Sequence, residues 1–384
     1  MMRRVAWAAL LLSGLVACTG TSSPQPPRLL FVTHGTGPYL AALVEDDLAA
    51  QPRFSYLADS EVTLPGEPLA MDVTDRAGAR DRVVLLLETG SHAYSAAWFD
   101  VEGIDPDAVT ALAPDVLALG PLLAPELDDP NDLCLKDMQV GRTGELLALL
   151  NVPADCSGSI ASPSILLLDT SDSTVTTLAA TVPLLESGLY VRQGDSATGD
   201  ELYWLEGGAG QAIIEGYRLP DGPALGDSGR FAAGSDLPVP LQLTFTAGSF
   251  AALQPGRLHL YGDAATSLAL SPSTAGSLIA DPFGDELQAL LVLHDGSSPS
   301  LFVHENGGDA NPTEVELPGS VAHGSVDPLQ MWVYFTRPGG LVLVDLIEVL
   351  DEAAADPKGV RHTIGGLGEA GFITWLEGVL PPAP

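Results

Sequence analysis

Three cysteines, seven histidines and a large surplus of carboxylates are the residues of this chain that could do chemistry. The histidines (His34, His92, His259, His294, His304, His323 and His362) show neither the HExxH nor the His-x-His spacing that places two imidazoles on one metal. A metal centre would have to be assembled from loops far apart in sequence. The acidic runs at residues 128–132 (DDPND) and 169–172 (DTSD) lack the Asp-x-Asp-x-Asp-Gly order of a calcium loop. Asp side chains that cap their own turns and face solvent account for them. On this reading the chain has no assigned metal ligands.

Three short motifs resemble catalytic signatures, and each lacks its necessary companions. Gly226-Asp227-Ser228-Gly229 is similar to the nucleophile segment of trypsin-like proteases, but Arg230-Phe231 follows where that family has Gly-Pro, and no histidine lies in an Ala-Ala-His-Cys setting. Residues 30–38 (LFVTHGTGP) resemble the strand and His-Gly-x-Gly oxyanion loop of α/β-hydrolases, yet the chain has no Gly-x-Ser-x-Gly elbow. A tight hairpin explains those glycines. Residues 366–371 (GLGEAG) fit the dinucleotide-binding glycine pattern, which needs a strand before it and a helix and second strand after it. Too little chain remains for that unit, so these glycines are expected to form a turn into a last strand. Catalytic residues and cofactors are therefore both assigned as none.

The N-terminus carries a different chemistry. Arg3 and Arg4 precede an apolar run at residues 5–12 (VAWAALLL), too short to span a bilayer, and Leu15-Val16-Ala17-Cys18 follows. This resembles the lipobox signal of bacterial lipoproteins. The resemblance implies cleavage before Cys18 (residues 1–17 being the signal peptide), a diacylglycerol on its thiol and an acylated amine. More than one acyl chain gives stable anchoring. Thr19 stands where an Asp would favour inner-membrane retention in enterobacterial lipoproteins, so the outer membrane is favoured in an organism that has one. Residues 18–27 comprise the lipidated Cys and a Ser/Pro linker that reaches roughly 25–30 Å when extended.

With Cys18 removed by lipidation, Cys134 and Cys156 remain. In an oxidising compartment the expectation is a disulfide; two free thiols are the alternative. Such a bridge would close a loop of about 20 residues, worth roughly 3 kcal/mol by chain entropy.

The elements around these residues repeat. Residues 191–205 (VRQGDSATGDELYWL) read as a polar, Gly-bearing turn followed by a strand-like run ending in Tyr203, Trp204 and Leu205. Strand pairs with preceding turns recur at 29–32 with 40–44, 83–87 with 96–101, 146–150 with 165–168, 202–205 with 213–219, 258–261 with 267–270, 287–293 with 300–303, and 331–335 with 341–344. The run at 71–82 is read as another copy of the turn. Runs such as VVLLL lack alternation, so both faces of those strands are buried. These seven segments, with Gly 41 and Pro 31 in 384 residues, resemble the broad β-propeller superfamily with YVTN-, NHL- and WD-type repeats.

The expected fold class is all-β, a seven-bladed β-propeller over residues 28–384. The strand-like run at 371–376 is expected to complete the first blade. Residues 345–356 are read as a short surface helix, and 105–127 as a long connection with a helical turn, not as strand.

A formal net charge of -34 repels phosphate, which excludes nucleic acid as a partner. The function expected is a membrane-anchored envelope lipoprotein, held by Cys18, whose propeller is a non-enzymatic binding or scaffold module for protein or glycan. The alternative is a metal-dependent propeller hydrolase, lactonase or lyase of the envelope.

Overall fold

The computed structural model describes residues 28–34, 37–44, 53–56, 63–76, 79–101, 113–157, 161–178, 188–194, 199–208, 211–220, 222, 224–232, 242–246, 249–254, 257–261, 265–270, 276–279, 289–294, 299–305, 313–327, 332–350 and 360–377. They are nearly all strand. β1 (Arg28–His34), β2 (Gly37–Val44) and β3 (Arg53–Tyr56) come first. β4 (Glu67–Arg76), β5 (Ala79–Gly90), β6 (Ala93–Asp100) and β7 (Asp115–Ala118) form one four-stranded sheet; β8 (Leu135–Val140), β9 (Leu146–Asn151), β10 (Ser164–Asp169) and β11 (Thr174–Leu178) form another. β12 (Tyr190–Arg192), β13 (Glu201–Gly208), β14 (Gln211–Arg218) and β15 (Ala224–Ala232) follow. Then come β16 (Gln242–Thr246), β17 (Ser249–Gln254), β18 (Arg257–Tyr261) and β19 (Ala265–Ala269). β20 (Gly276–Ile279), β21 (Ala289–His294), β22 (Ser300–Glu305) and β23 (Thr313–Glu316) make the next. β24 (Gly324–Val326), β25 (Trp332–Asp345) and β26 (Val360–Glu377) join the first three strands in a sheet of order β24-β25-β26-β1-β2-β3.

Every pairing is an antiparallel one between strands adjacent in the chain, except that of β26 with β1. The first half of β26 runs along β25 (Val344↔Val360 to Pro338↔Glu369), and the second half along β1 (His34↔Ala370 to Arg28↔Glu377). The first strands of successive sheets touch: β4 meets β8, β8 meets β12, β12 meets β16, β16 meets β20, β20 meets β24, and β26 meets both β24 and β4. Such radial packing of small antiparallel sheets is a β-propeller.

The apolar runs show why the sheets stack. Val83, Leu85 and Leu87 of β5 enter a core with Leu29, Phe31, Phe99 and Leu376, while Val84 and Leu86 enter a second core with Met138, Leu147, Leu149 and Leu166. All five β5 side chains are fully buried. Alternation puts successive residues on opposite faces, and here each face meets a neighbouring sheet. β9 and β10 do the same: Leu147, Leu149, Leu166 and Leu168 face one core, Ala148, Leu150, Ile165 and Leu167 the next. Each buried Leu or Val is worth about 1.5–3 kcal/mol.

Four expectations change. The segment 105–127 contains a true strand, β7, paired with β6 from Ser95↔Ala118 to Trp98↔Asp115 and followed by a helical turn, Gly120–Leu123. Its residues are mostly exposed, as on an outer edge, so no apolar period marks it. Gly366 to Gly371 make no turn; they lie inside continuous strand β26, where the strand passes from one partner to the other. Glycine suits such a crossing: at Gly371 a Cβ would stand 2.6 Å from Thr33 Oγ1. The run 71–82 is strand at 71–76 and 79–82, and residues 77–78 lie outside the described residues. The helix expected at 345–356 is described as Leu346–Leu350, with Glu348 N–H donating to Asp345 Oδ1 (3.1 Å); Leu346 and Val349 pack into a core and are not surface residues, and 351–359 lie outside the described residues.

Candidate functional site

Cys18 and its linker lie outside the described residues. Cys134 and Cys156 are joined in a disulfide with Cα atoms 5.7 Å apart. Cys134 is fully buried and Cys156 lies on the exposed helical turn Pro153–Ser157. The staple is reinforced: Cys134 N–H donates to Asn151 Oδ1 (2.6 Å), and Val152 N–H to Cys134 O (2.8 Å).

The tempting motifs resolve into sheet. Residues 226–229 sit in β15, with Asp227 opposite Glu215 and Gly229 opposite Ile214. His34 and Gly37 face each other across the β1–β2 hairpin. The acidic turns cap themselves: Asp129 Oδ1 accepts from Asn131 N–H (2.9 Å), Asp169 Oδ1 from Ser171 N–H (2.9 Å), and Asp172 Oδ1 from Thr174 N–H (3.0 Å) and Thr174 Oγ1 (2.7 Å). The Thr174 bonds hold the Asp172 carboxyl below its ordinary range. The side chains of His34, His259, His294, His304 and His362 lie outside the described residues. His92 Nδ1 donates to Leu133 O (3.2 Å). Among the described residues no three of His, Cys, Asp and Glu come together to hold a metal ion.

The polar groups that spacing did not reveal lie on the first strands of the sheets. Among the described residues such a strand has no strand partner on its inner edge, so its backbone donors need acceptors from elsewhere. Asp72 on β4 supplies two: Oδ1 accepts from its neighbour Val73 N–H (2.8 Å), and Oδ2 reaches across to β8 and accepts from Val140 N–H (2.7 Å). Asp137 on β8 repeats the device, taking Met138 N–H on Oδ1 (2.8 Å) and Leu189 N–H, just before β12, on Oδ2 (2.8 Å). Gly188 makes room for it, since a Cβ there would stand 2.6 Å from Asp137 Oδ2. Gln193 Nε2 donates to Val73 O (2.8 Å) and Val140 O (3.2 Å), tying three sheets at one point. From the other direction, Asp200 accepts from Arg142 N–H (2.8 Å) and Gly194 N–H (3.0 Å).

Asp137 keeps some accessible surface, but its carboxyl group is surrounded by protein. Desolvation pushes it up to about 6, against the two backbone donors that favour the anion. The repeated signal was an Asp inside a strand, Met71-Asp72-Val73 and Lys136-Asp137-Met138, where acids are ordinarily depleted.

A second polar group sits where β24 and β25 meet the second half of β26. The His323 ring stacks on Phe372 (centroids 4.3 Å, planes 29° apart), and Tyr334 meets Trp375 edge-on at 5.1 Å. Thr336 fastens His323: Thr336 N–H donates to His323 O (2.9 Å) and His323 N–H to Thr336 Oγ1 (3.1 Å). Buried Asp327 accepts from Trp332 N–H (2.7 Å). Burial, then the charge of Asp327, raises the Tyr334 phenol, and burial lowers the His323 imidazole, so both are neutral near pH 7.

The repeat unit 191–205 is structural, as its aromatics show. Trp204 enters the core with Leu150, Leu167 and Leu202, and Tyr203 packs edge-on against Phe250 at 4.7 Å. Tyr203 Oη donates to Glu201 (2.8 Å), and burial with that carboxylate pushes its phenol up to about 12.

No protein-family model and no curated protein sequence matches the chain. Solved structures do. A functionally unknown protein from Desulfotomaculum acetoxidans is similar at 11% identity and a TM-score of 0.55, over 91% of this chain and 99% of that one. The periplasmic gluconolactonase of Pseudomonas aeruginosa is similar at 14% identity and a TM-score of 0.58, again over 91% and 99%. At these identities the likeness is one of fold, and with the sheet arrangement it identifies the chain as a β-propeller.

Proposed function

We propose that this protein is an exported lipoprotein, anchored through Cys18, whose seven-bladed propeller is a non-enzymatic binding or scaffold module of the cell envelope. Protein and glycan are its proposed partners, and the outer membrane its favoured location where one exists. The leader at residues 1–17 supports export, and the Cys134–Cys156 bridge suits an oxidising compartment. Counting the six-stranded sheet as two blades that share β26 supports seven blades, closed by pairing of the C-terminal strand with β1.

The observation that carries the scaffold reading is how Asp72 and Asp137 are used. Each turns both carboxylate oxygens to backbone N–H groups, one of them in or next to the first strand of the neighbouring sheet. These hydrogen bonds tie each sheet to the next, which suits a preformed binding platform.

Anchoring is tested by labelling with radioactive palmitate during expression in a bacterium that processes lipoproteins. The wild type should carry label, and Cys18→Ser should carry none; label on the variant would defeat the anchor. The scaffold role is tested by cross-linking in intact cells, with capture of the protein from envelope extracts alongside a glycan array. A specific envelope protein or glycan should be retained. The metal-dependent lactonase or hydrolase reading predicts instead turnover of aldonolactones by the purified protein, stimulated by divalent cations. Such turnover, with no partner retained, would replace the scaffold role.

A further inference from the structure

We propose that the seam between β24–β25 and the second half of β26 is an acid-sensitive latch, in which proton uptake by His323 loosens the last strand from its place beside β1. The seam joins the two ends of the chain's sheet order, since Phe372 belongs to the half of β26 that pairs with β1. Two links hold Phe372 there. Its N–H donates to Thr33 Oγ1 (2.8 Å) at the bulge where the β1–β26 register shifts, and its ring stacks on His323. His323 is in turn fixed by Thr336 of β25 through both backbone groups. His323, just before β24, is thus tied to β25 through its backbone and to β26 through its ring.

Its surroundings suit the neutral ring. The titratable and charged residues on the elements packed against it are Asp327, beside the far end of β24; Tyr334, Arg337 and Asp345 on β25; and Arg361, His362, Glu369 and Glu377 on β26. β20 brings none. Asp327 directs Oδ1 to Trp332 N–H and acts on Tyr334. Desolvation alone governs the His323 proton and lowers its affinity. The sign follows. A histidine that binds its proton less well when folded contributes fully above the ordinary imidazole value. That contribution is lost as pH falls from the ordinary value toward the lower folded one. Parting His323 from Phe372 would give the charged ring access to water, so the loosening is expected at this seam.

The test is hydrogen exchange by mass spectrometry on the full chain at about pH 7.5 and about pH 5.5, corrected for intrinsic exchange. The wild type should lose protection severalfold at residues 372–376 on acidification, while residues 83–87 of β5 keep theirs. His323→Phe keeps a stacking ring and removes the proton site, so its protection at 372–376 should not change with pH. Unchanged protection in the wild type, or an equal loss in His323→Phe, overturns the latch. Should that variant fail to fold, NMR titration of the wild-type His323 ring decides: titration below the ordinary histidine value sustains the latch, and titration at or above it overturns it.

Discussion

Asp137 lies in β8 and Leu189 just before β12 of the next sheet, and a 2.8 Å hydrogen bond from Leu189 N–H to Asp137 Oδ2 joins them. Replacing Asp137 with Ala leaves Leu189 and Met138 without their acceptor at an internal junction. A lost acceptor of this kind costs about 1–3 kcal/mol. Urea denaturation should show that loss in the midpoint, with an unchanged slope.

The same carboxyl group predicts a pH dependence. Its folded value, pushed up to about 6, exceeds the ordinary carboxylate value, so the folded chain holds the proton more tightly than the unfolded one. Its contribution is fully present below the ordinary value and is lost as pH rises through about 6. Asp137→Asn removes the titration. Between about pH 4 and about pH 7, the wild-type melting temperature should therefore fall relative to that of the variant. Parallel curves would refute the assignment.

The disulfide should be complete in protein purified without reductant. Thiol titration of the unreduced, unfolded protein should detect no free Cys134 or Cys156. The paired substitution Cys134→Ala and Cys156→Ala should cost roughly 3 kcal/mol, since the bridge closes a sequence separation of 22. Two reactive thiols before reduction would remove the bridge from the account.

Leu85 and Leu86 are adjacent in sequence but enter different cores. Each change to Ala should cost about 2–5 kcal/mol. Because their partners do not overlap, the double variant should lose close to the sum of the two, within about 0.5 kcal/mol. A strongly sub-additive result would mean that the two cores act as one.

The pairing of β26 with β1 can be probed by one atom. Gly371→Ala places a Cβ 2.6 Å from Thr33 Oγ1, the acceptor that fixes Phe372. Either the Thr33 side chain gives up its bond to Phe372 or the strand shifts, so stability should fall by about 1–3 kcal/mol, measured by thermal unfolding. Deleting residues 371–384 should destabilise the whole domain and not β26 alone, because β1 loses its partner over Leu29↔Leu376 to Val32↔Ile373. An unchanged melting temperature in the deletion would sink this closure.

What the sequence by itself determined is what local spacing encodes. The apolar runs at 83–87, 146–150 and 165–168 specify strands buried on both faces, because only stacked sheets can cover both. The last strand at residues 371–376 and its pairing with β1 were legible, as was the Cys134–Cys156 bridge from the expectation that Cys18 stands apart. Tertiary structure decided the rest. β7 is a strand because β6 offers it backbone partners, whatever its own exposed residues prefer. Residues 366–371 stay extended because two neighbours, β25 and β1, claim successive halves of β26. Of the candidate site, the aspartates of β4 and β8 were visible only as acids inside strands. That Asp137 answers Leu189, or that His323 lies on Phe372, depends on contacts between separate sheets. No period of 2 or 3.6 along the chain encodes a hydrogen bond or a ring stack made across such a junction, and only the packing of the sheets brings those residues together.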